Sequence, residues 1–199
     1  MTSDRLRFAL LAPAAVLTLS ACGINSVPTA EENAKARWAD VQAAYQRRAN
    51  LIPNLEAVVK GAAGSEKSIL TDVIEARAKA TSVQVSGEDL TDPAKMAQFQ
   101  QAQAQLGGTL SRLLVNVEAY PELKSQANFT IFIDQIEGME NRINITIRDY
   151  NAAVQSYNTT IRTFPDMIGA KIIHGAKPMV PFEAKPGADQ APTVDFSKG

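Results

Sequence analysis

Only one histidine and one cysteine occur in the 199 residues, and these two scarcities remove most catalytic chemistries before any pattern is considered. His174 has no glutamate three residues before it and no second histidine to join it. The Glu-x-x-His pairs of a di-iron bundle and the usual zinc spacings are therefore both missing. With the cysteine assigned elsewhere, the lone imidazole gives no support for Ser-His-Asp or Cys-His catalysis, and His174 reads as a surface or loop residue. No glycine-rich loop precedes a Lys-Ser or Lys-Thr pair, so phosphate binding has no support either. Neither a metal nor a cofactor is expected.

Charge of one sign is also lacking. Lys and Arg total 20 against 21 Asp and Glu, a formal net charge of -1 with no basic stripe. Clustered cations supply most of the affinity for nucleic acid, so nucleic acid is not an expected partner. Long apolar runs are scarce as well. The longest, Phe8 to Leu19, is about a dozen residues, against the roughly 20 that a spanning helix needs. Strand-like alternation of useful length appears nowhere.

What is present first is an address. Leu19-Ser20-Ala21-Cys22-Gly23 closes the apolar run behind Arg5 and Arg7. Small residues at Ser20 and Ala21 let a signal peptidase close around the backbone, and the Cys22 thiol is the nucleophile that accepts a lipid. Residues 1–21 thus read as a lipoprotein signal peptide, Cys22 as the lipidation site, and 22–29, with Asn25, Ser26 and Pro28, as a lipidated linker. An ordinary cleaved signal with an incidental cysteine is the alternative. Stable anchoring takes two or more acyl chains, and a multiply acylated cysteine supplies them. A lipidated Cys22 leaves no thiol for a disulfide, so the mature domain must be held by its core alone.

The rest of the chain is patterned for helices. A first helix is expected from Ala30 to about Ala63, with Trp38, Tyr45, Ile52 and Val59 in one heptad row and Arg48 interrupting the stripe. Pro53 inside this pattern predicts a kink or break near Ala49. Ile69, Val73, Ala76, Ala80 and Val83 mark a second helix. Thr91-Asp92-Pro93 starts a third, carried by Met96, Phe99, Leu106, Leu110, Leu113 and Val117. The fourth, about Ser125 to Phe164, repeats Phe129, Ile136, Ile143, Tyr150, Tyr157 and Phe164 every seven residues, with only Glu140 breaking the neighbouring register.

Four helices joined by short turns predict an all-α, antiparallel up-and-down four-helix bundle over 30–164, with long first and fourth helices. Prolines and glycines after Pro165 rule out a continuing helix. An extended segment, 165–184, is expected to pack on the bundle, and 185–199 to be disordered.

Arg48 and Glu140 are each the one charge on an otherwise apolar row. Counted from the end where the first helix stops and the fourth begins, Arg48 is about 15 residues away and Glu140 about 14, both near 22 Å at 1.5 Å per residue. The two are expected to meet. Arg77, Gly107, Gly108 and Gly138 fall at almost the same level, which predicts a buried polar layer of Arg48, Arg77 and Glu140 with small residues making room. Fixing helix register is the best-attested use of such a layer.

The helices also differ in length: about 60 Å for the fourth, about 30 Å for the second and about 42 Å for the third. An overhang at the end nearer Cys22 follows. Trp38, Tyr150, Tyr157 and Phe164 lie toward it and form a candidate partner surface, unless residues 167–182 fold back over them. The repeat Tyr150-Asn151 and Tyr157-Asn158 reads as tyrosines filling the stripe with asparagines beside them. The Asn-x-Thr matches at Asn128, Asn144 and Asn158 read as coincidence in a bacterial lipoprotein.

Several runs carry a resemblance. They are Gln46-Arg47-Arg48-Ala49-Asn50-Leu51-Ile52-Pro53-Asn54-Leu55, Val59-Lys60-Gly61, Glu66-Lys67 and Glu75-Ala76-Arg77. Further on come Glu118-Ala119-Tyr120-Pro121-Glu122-Leu123-Lys124, Glu140-Asn141-Arg142-Ile143 and Arg148-Asp149-Tyr150-Asn151 through Tyr157-Asn158 to Phe164-Pro165. In this order they are similar to the LemA family of bacterial membrane-attached helical proteins, over about Ser26 to Phe182.

The resemblance implies an antiparallel four-helix bundle facing outward from a membrane and no catalytic residue to carry over. Members usually have an N-terminal transmembrane anchor, where this chain offers a lipidation signal instead. Association of some members with membrane zinc proteases and other envelope proteins implies an accessory role. The expected function is a lipid-anchored, non-enzymatic interaction or scaffold module of the cell envelope, held to the membrane through Cys22, with an envelope protein as partner. Its domain is expected in the periplasm or otherwise outside the cytoplasmic membrane. The alternative is a hydrolase or lipid-binding protein using a groove in the bundle, which a pocket lined by convergent polar groups would support.

Overall fold

A computed structural model describes residues 2–59, 66–115 and 127–183, with side chains over 25–55, 70–114 and 127–183. Among the described residues there are five α-helices rather than four: α1 (Thr2–Val59), α2 (Glu66–Ser82), α3 (Pro93–Val115), α4 (Ala127–Thr160) and α5 (Asp166–Ile172). A 3-10 turn, Gly87–Thr91, leads into α3. The two dominant elements are α1, of 58 residues, and α4, of 34.

The start of α3 follows from its sequence. The Asp92 carboxylate accepts the backbone N–H groups of Ala94 and Lys95 at 2.9 and 3.2 Å, and Pro93 fills the first helical position, where no donor is needed. Two other boundaries differ from expectation. Residues 25–29, read as part of a linker, are helical, because α1 gains tertiary contacts there that outweigh the cost of Pro28. Val27 is fully buried and Ser26 Oγ donates to Asp166 Oδ1 at 2.7 Å, while within the helix Thr29 Oγ1 donates to the Asn25 carbonyl at 2.6 Å. Residues 165–184 were expected to be extended. Asp166–Ile172 is instead a helix, and only the stretch after Gly175 is extended. Gly175, at φ +55°, makes the turn between them in a conformation that suits glycine. The expected tail, 185–199, lies outside the described residues.

Pairings between elements fix their directions. Trp38 meets Tyr150 and Arg48 meets Glu140, so α4 descends as α1 ascends. Trp38 meets Phe99 and Arg48 meets Gln103, so α3 runs with α1. Arg77 reaches Ala49 and Gln103 reaches Ala80, placing α2 between α1 and α3.

The core falls into two parts. One is aromatic, around Trp38, Tyr45, Phe99, Tyr150 and Tyr157; the other holds Ile52, Leu55, Leu106, Leu110, Phe129, Phe132 and Ile136. Arg48 and Glu140 lie between them along α1 and α4. Among the described residues no helix is long and apolar enough to cross a membrane.

Candidate functional site

Arg48 is the most deeply buried charged side chain of the described residues, 2% exposed. Nη1 donates to Glu140 Oε1 at 2.8 Å, and Nη2 donates to both the backbone and the side-chain oxygen of Gln103 at 3.0 Å. Gln103 in turn donates from Nε2 to the Ala80 carbonyl at 3.0 Å, which ties α1, α2, α3 and α4 into one cross-section. The guanidinium also lies 5.0 Å from the centre of the Tyr45 ring. Its Nε is left without a hydrogen-bond partner. Glu140 is the wet end of this arrangement, with its side chain 42% exposed.

Of the glycines at this level, only Gly107 makes room. A Cβ there would sit 3.3 Å from Arg48 Nη1, whereas Gly108 and Gly138 have open space.

Arg77 belongs to the same level but answers a different need. Pro53 has no N–H, so the Ala49 carbonyl four residues earlier loses its helical donor in the buried face of α1. Arg77 Nε replaces it from α2, at 2.8 Å. This fits the passage of α1 through Pro53 as a helix: of the kink or break expected near Ala49, the break does not occur.

Three of the four residues read as a partner surface are core residues instead: Trp38 is 1% exposed, Tyr150 0% and Tyr157 2%. Only Phe164 is open, at 67%. The indole N–H of Trp38 donates to the Val85 carbonyl at 2.8 Å, and its ring sits 5.2 Å from both Phe99 and Tyr150. The cover is the chain itself. Beyond Gly175 an extended strap returns along α4, burying Met179 and stacking Phe182 at 6.1 Å from Tyr45.

The strap is held mainly by its backbone. Asn158 gives its amide N–H to the Met179 carbonyl and takes the Met179 N–H, at 2.8 and 2.9 Å. Asn151 does the same to Phe182, at 2.9 and 2.7 Å. The spacing is self-consistent: seven helical residues rise about 10.5 Å, and three extended residues cover about 10 Å. Tyr150 donates its hydroxyl to the Val180 carbonyl at 2.8 Å, and the Val180 N–H reaches the Leu90 carbonyl at 2.8 Å. The role of these asparagines is structural, holding the strap, and the Tyr-Asn repeat at seven residues was its one signal in the sequence.

Two hollows adjoin these features. One, of about 320 Å³, is lined by residues including Gln42, Tyr45, Gln46, Phe99 and Gln103. Three of its amides are committed internally: Gln42 donates to the Val85 carbonyl, Gln46 to Asn50 and Gln103 to Ala80. Tyr45 keeps its proton there, because burial pushes its phenol well above the ordinary range and the pull of Arg48 only partly offsets this. The other, of about 450 Å³, lies beside the strap between Asn151, Asn158, Arg162 and Pro181. Neither gathers an acid, a base and a nucleophile. Among the described residues no group of three or more His, Cys, Asp or Glu could hold a metal ion. Cys22 lies outside the residues whose side chains are described.

Comparison with known proteins places this arrangement among relatives. The family model described as LemA family matches residues 37–196. The chain is 28% identical over 181 residues to magnetosome protein MamQ 2 of Paramagnetospirillum magneticum, covering 83% of this chain and 66% of that protein. It is 26% identical over 201 residues to magnetosome protein MamQ of Magnetospirillum gryphiswaldense, covering 92% and 73%. It is 30% identical over 125 residues to protein LemA of Metamycoplasma hominis, covering 62% and 52%. The chain therefore spans just under two thirds of the first of these relatives.

Proposed function

The chain belongs to the LemA family of bacterial membrane-associated proteins, and from that premise we propose that it is a lipid-anchored, non-enzymatic interaction module of the cell envelope. In this reading an up-and-down four-helix bundle, tethered through Cys22 outside the cytoplasmic membrane, serves other envelope proteins, such as membrane proteases, as an accessory. One observation carries the non-enzymatic part. The polar groups at or beside the hollows hold the fold together: buried Arg48 binds Glu140 and Gln103, and the half-buried Asn151 and Asn158 bind the strap. A site for chemistry needs polar groups aimed at a substrate, with at least one tuned as acid or base. This disfavours the hydrolase alternative.

Anchoring is tested at Cys22. In cells fed a labelled fatty acid, the wild-type protein is expected to carry the label and to enter solution only with detergent. Cys22→Ser is expected to lose the label and to stop processing at that position. A Cys22→Ser variant that is labelled and processed like the wild type would overturn the lipoprotein assignment.

A further inference from the structure

Among the residues whose side chains are described, most large apolar side chains left exposed are gathered in one place. Phe164, Ile168, Ile172 and Ile173 are 67%, 51%, 79% and 58% exposed, while Ile74, Ile131 and Ile145 are scattered over α2 and α4. Ile168 and Ile172 lie four residues apart on α5, which puts them on one stripe, and Phe164 stands in the turn just before that helix. The buried residues of α5, Gly169 and Ala170, lie off that stripe. The exposed cations Arg162, Lys171 and Lys177 border it in sequence.

The position of the stripe matters as much as its composition. Ser26 Oγ binds Asp166 Oδ1 at 2.7 Å, so α5 begins beside residue 26 of α1. Cys22 is one helical turn further along, about 6 Å.

We propose that the Ile168–Ile172 face of α5, with Phe164 in the turn before it, rests on the lipid bilayer, forming a second, non-covalent membrane contact beside the anchor. The proposal rests on the anchoring at Cys22 set out above. A tether this short holds α5 within reach of the headgroups whatever the orientation of the bundle. Exposed Phe and Ile side chains with a cationic border are the chemistry that suits an anionic interface. The contact also fixes an orientation: the far end of α4 near Ile131 stands about 44 Å along the helix from Thr160, the end of α4 nearer the contact.

The test uses the full lipidated chain in vesicles of phosphatidylethanolamine and phosphatidylglycerol. Ile172→Cys and, separately, Ile131→Cys are labelled with an environment-sensitive thiol dye. Lipid on Cys22 blocks its sulfur, so each variant takes up one dye. The Ile172 label is expected to shift to the blue, to brighten by about threefold on membrane contact, and to be quenched by nitroxide lipids, with the Ile131 label unchanged. Vesicle-bound protein whose Ile172 label behaves like the Ile131 label would overturn the proposal. A blue shift in native membranes but not in protein-free vesicles would overturn it in favour of a protein partner. Protein that does not float with the vesicles, or that takes up a second dye at Cys22, would overturn the anchoring reading and this inference with it.

Discussion

Truncating Trp38 to alanine is expected to lower stability by about 3–5 kcal/mol, the usual cost of deleting a large aromatic from a packed core. The indole is 1% exposed, wedged between Phe99 and Tyr150, and roofed by the loop whose Val85 carbonyl it bonds. Trp38→Phe should cost much less, about 1–2 kcal/mol, because the ring packing is largely retained and only one hydrogen bond goes. The Val85 carbonyl keeps its second side-chain donor, Gln42, at 2.9 Å. Urea unfolding followed by circular dichroism reads both variants. An alanine variant that unfolds at the wild-type urea concentration would return Trp38 to the surface role that the sequence suggested.

Glu140→Ala is expected to be more damaging than Arg48→Met, an asymmetry that follows from burial. Removing the carboxylate strands a guanidinium that is 2% exposed and already has one unpartnered nitrogen. Breaking a fully buried pair costs about 3–5 kcal/mol, and the partial exposure of Glu140 lowers the expectation here to about 2–3 kcal/mol. Arg48→Met removes the buried charge and leaves Glu140 free to turn into water, since its side chain is 42% exposed. About 1–2 kcal/mol is expected for that change, with the double variant close to Arg48→Met alone. The cycle is read by urea unfolding, with Trp38, the only tryptophan, as fluorescent reporter. Additive single effects would show that the ion pair contributes nothing.

The long helices were legible because their periodicity extends over many turns. The meeting of Arg48 with Glu140 could be counted out because two straight helices rise at the same rate. Arg77 was placed at the right level, but its partner was not a carboxylate. The carbonyl released by Pro53 is a backbone feature, and charge patterning does not reveal it.

The cover over the aromatic end was harder to read. A strap of a few extended residues has no period, and an asparagine that binds a peptide group looks in sequence like any polar residue on a helix. Its one visible trace was the second Tyr-Asn pair, seven residues after the first. The seven residues of α5 are too few to show a stripe against the turn signals around Pro165. Helix through residues 25–29 depends on contacts with Asp166, 140 residues away, which no local signal contains.

The attachment of this module to the membrane is tested most directly by the intact mass of the protein extracted from cell membranes with detergent. The account predicts a chain that begins at Cys22, with a diacylglycerol group on its sulfur and an acyl chain on its amino group. A mass corresponding to an unmodified Cys22, whether or not residues 1–21 are still attached, would contradict it.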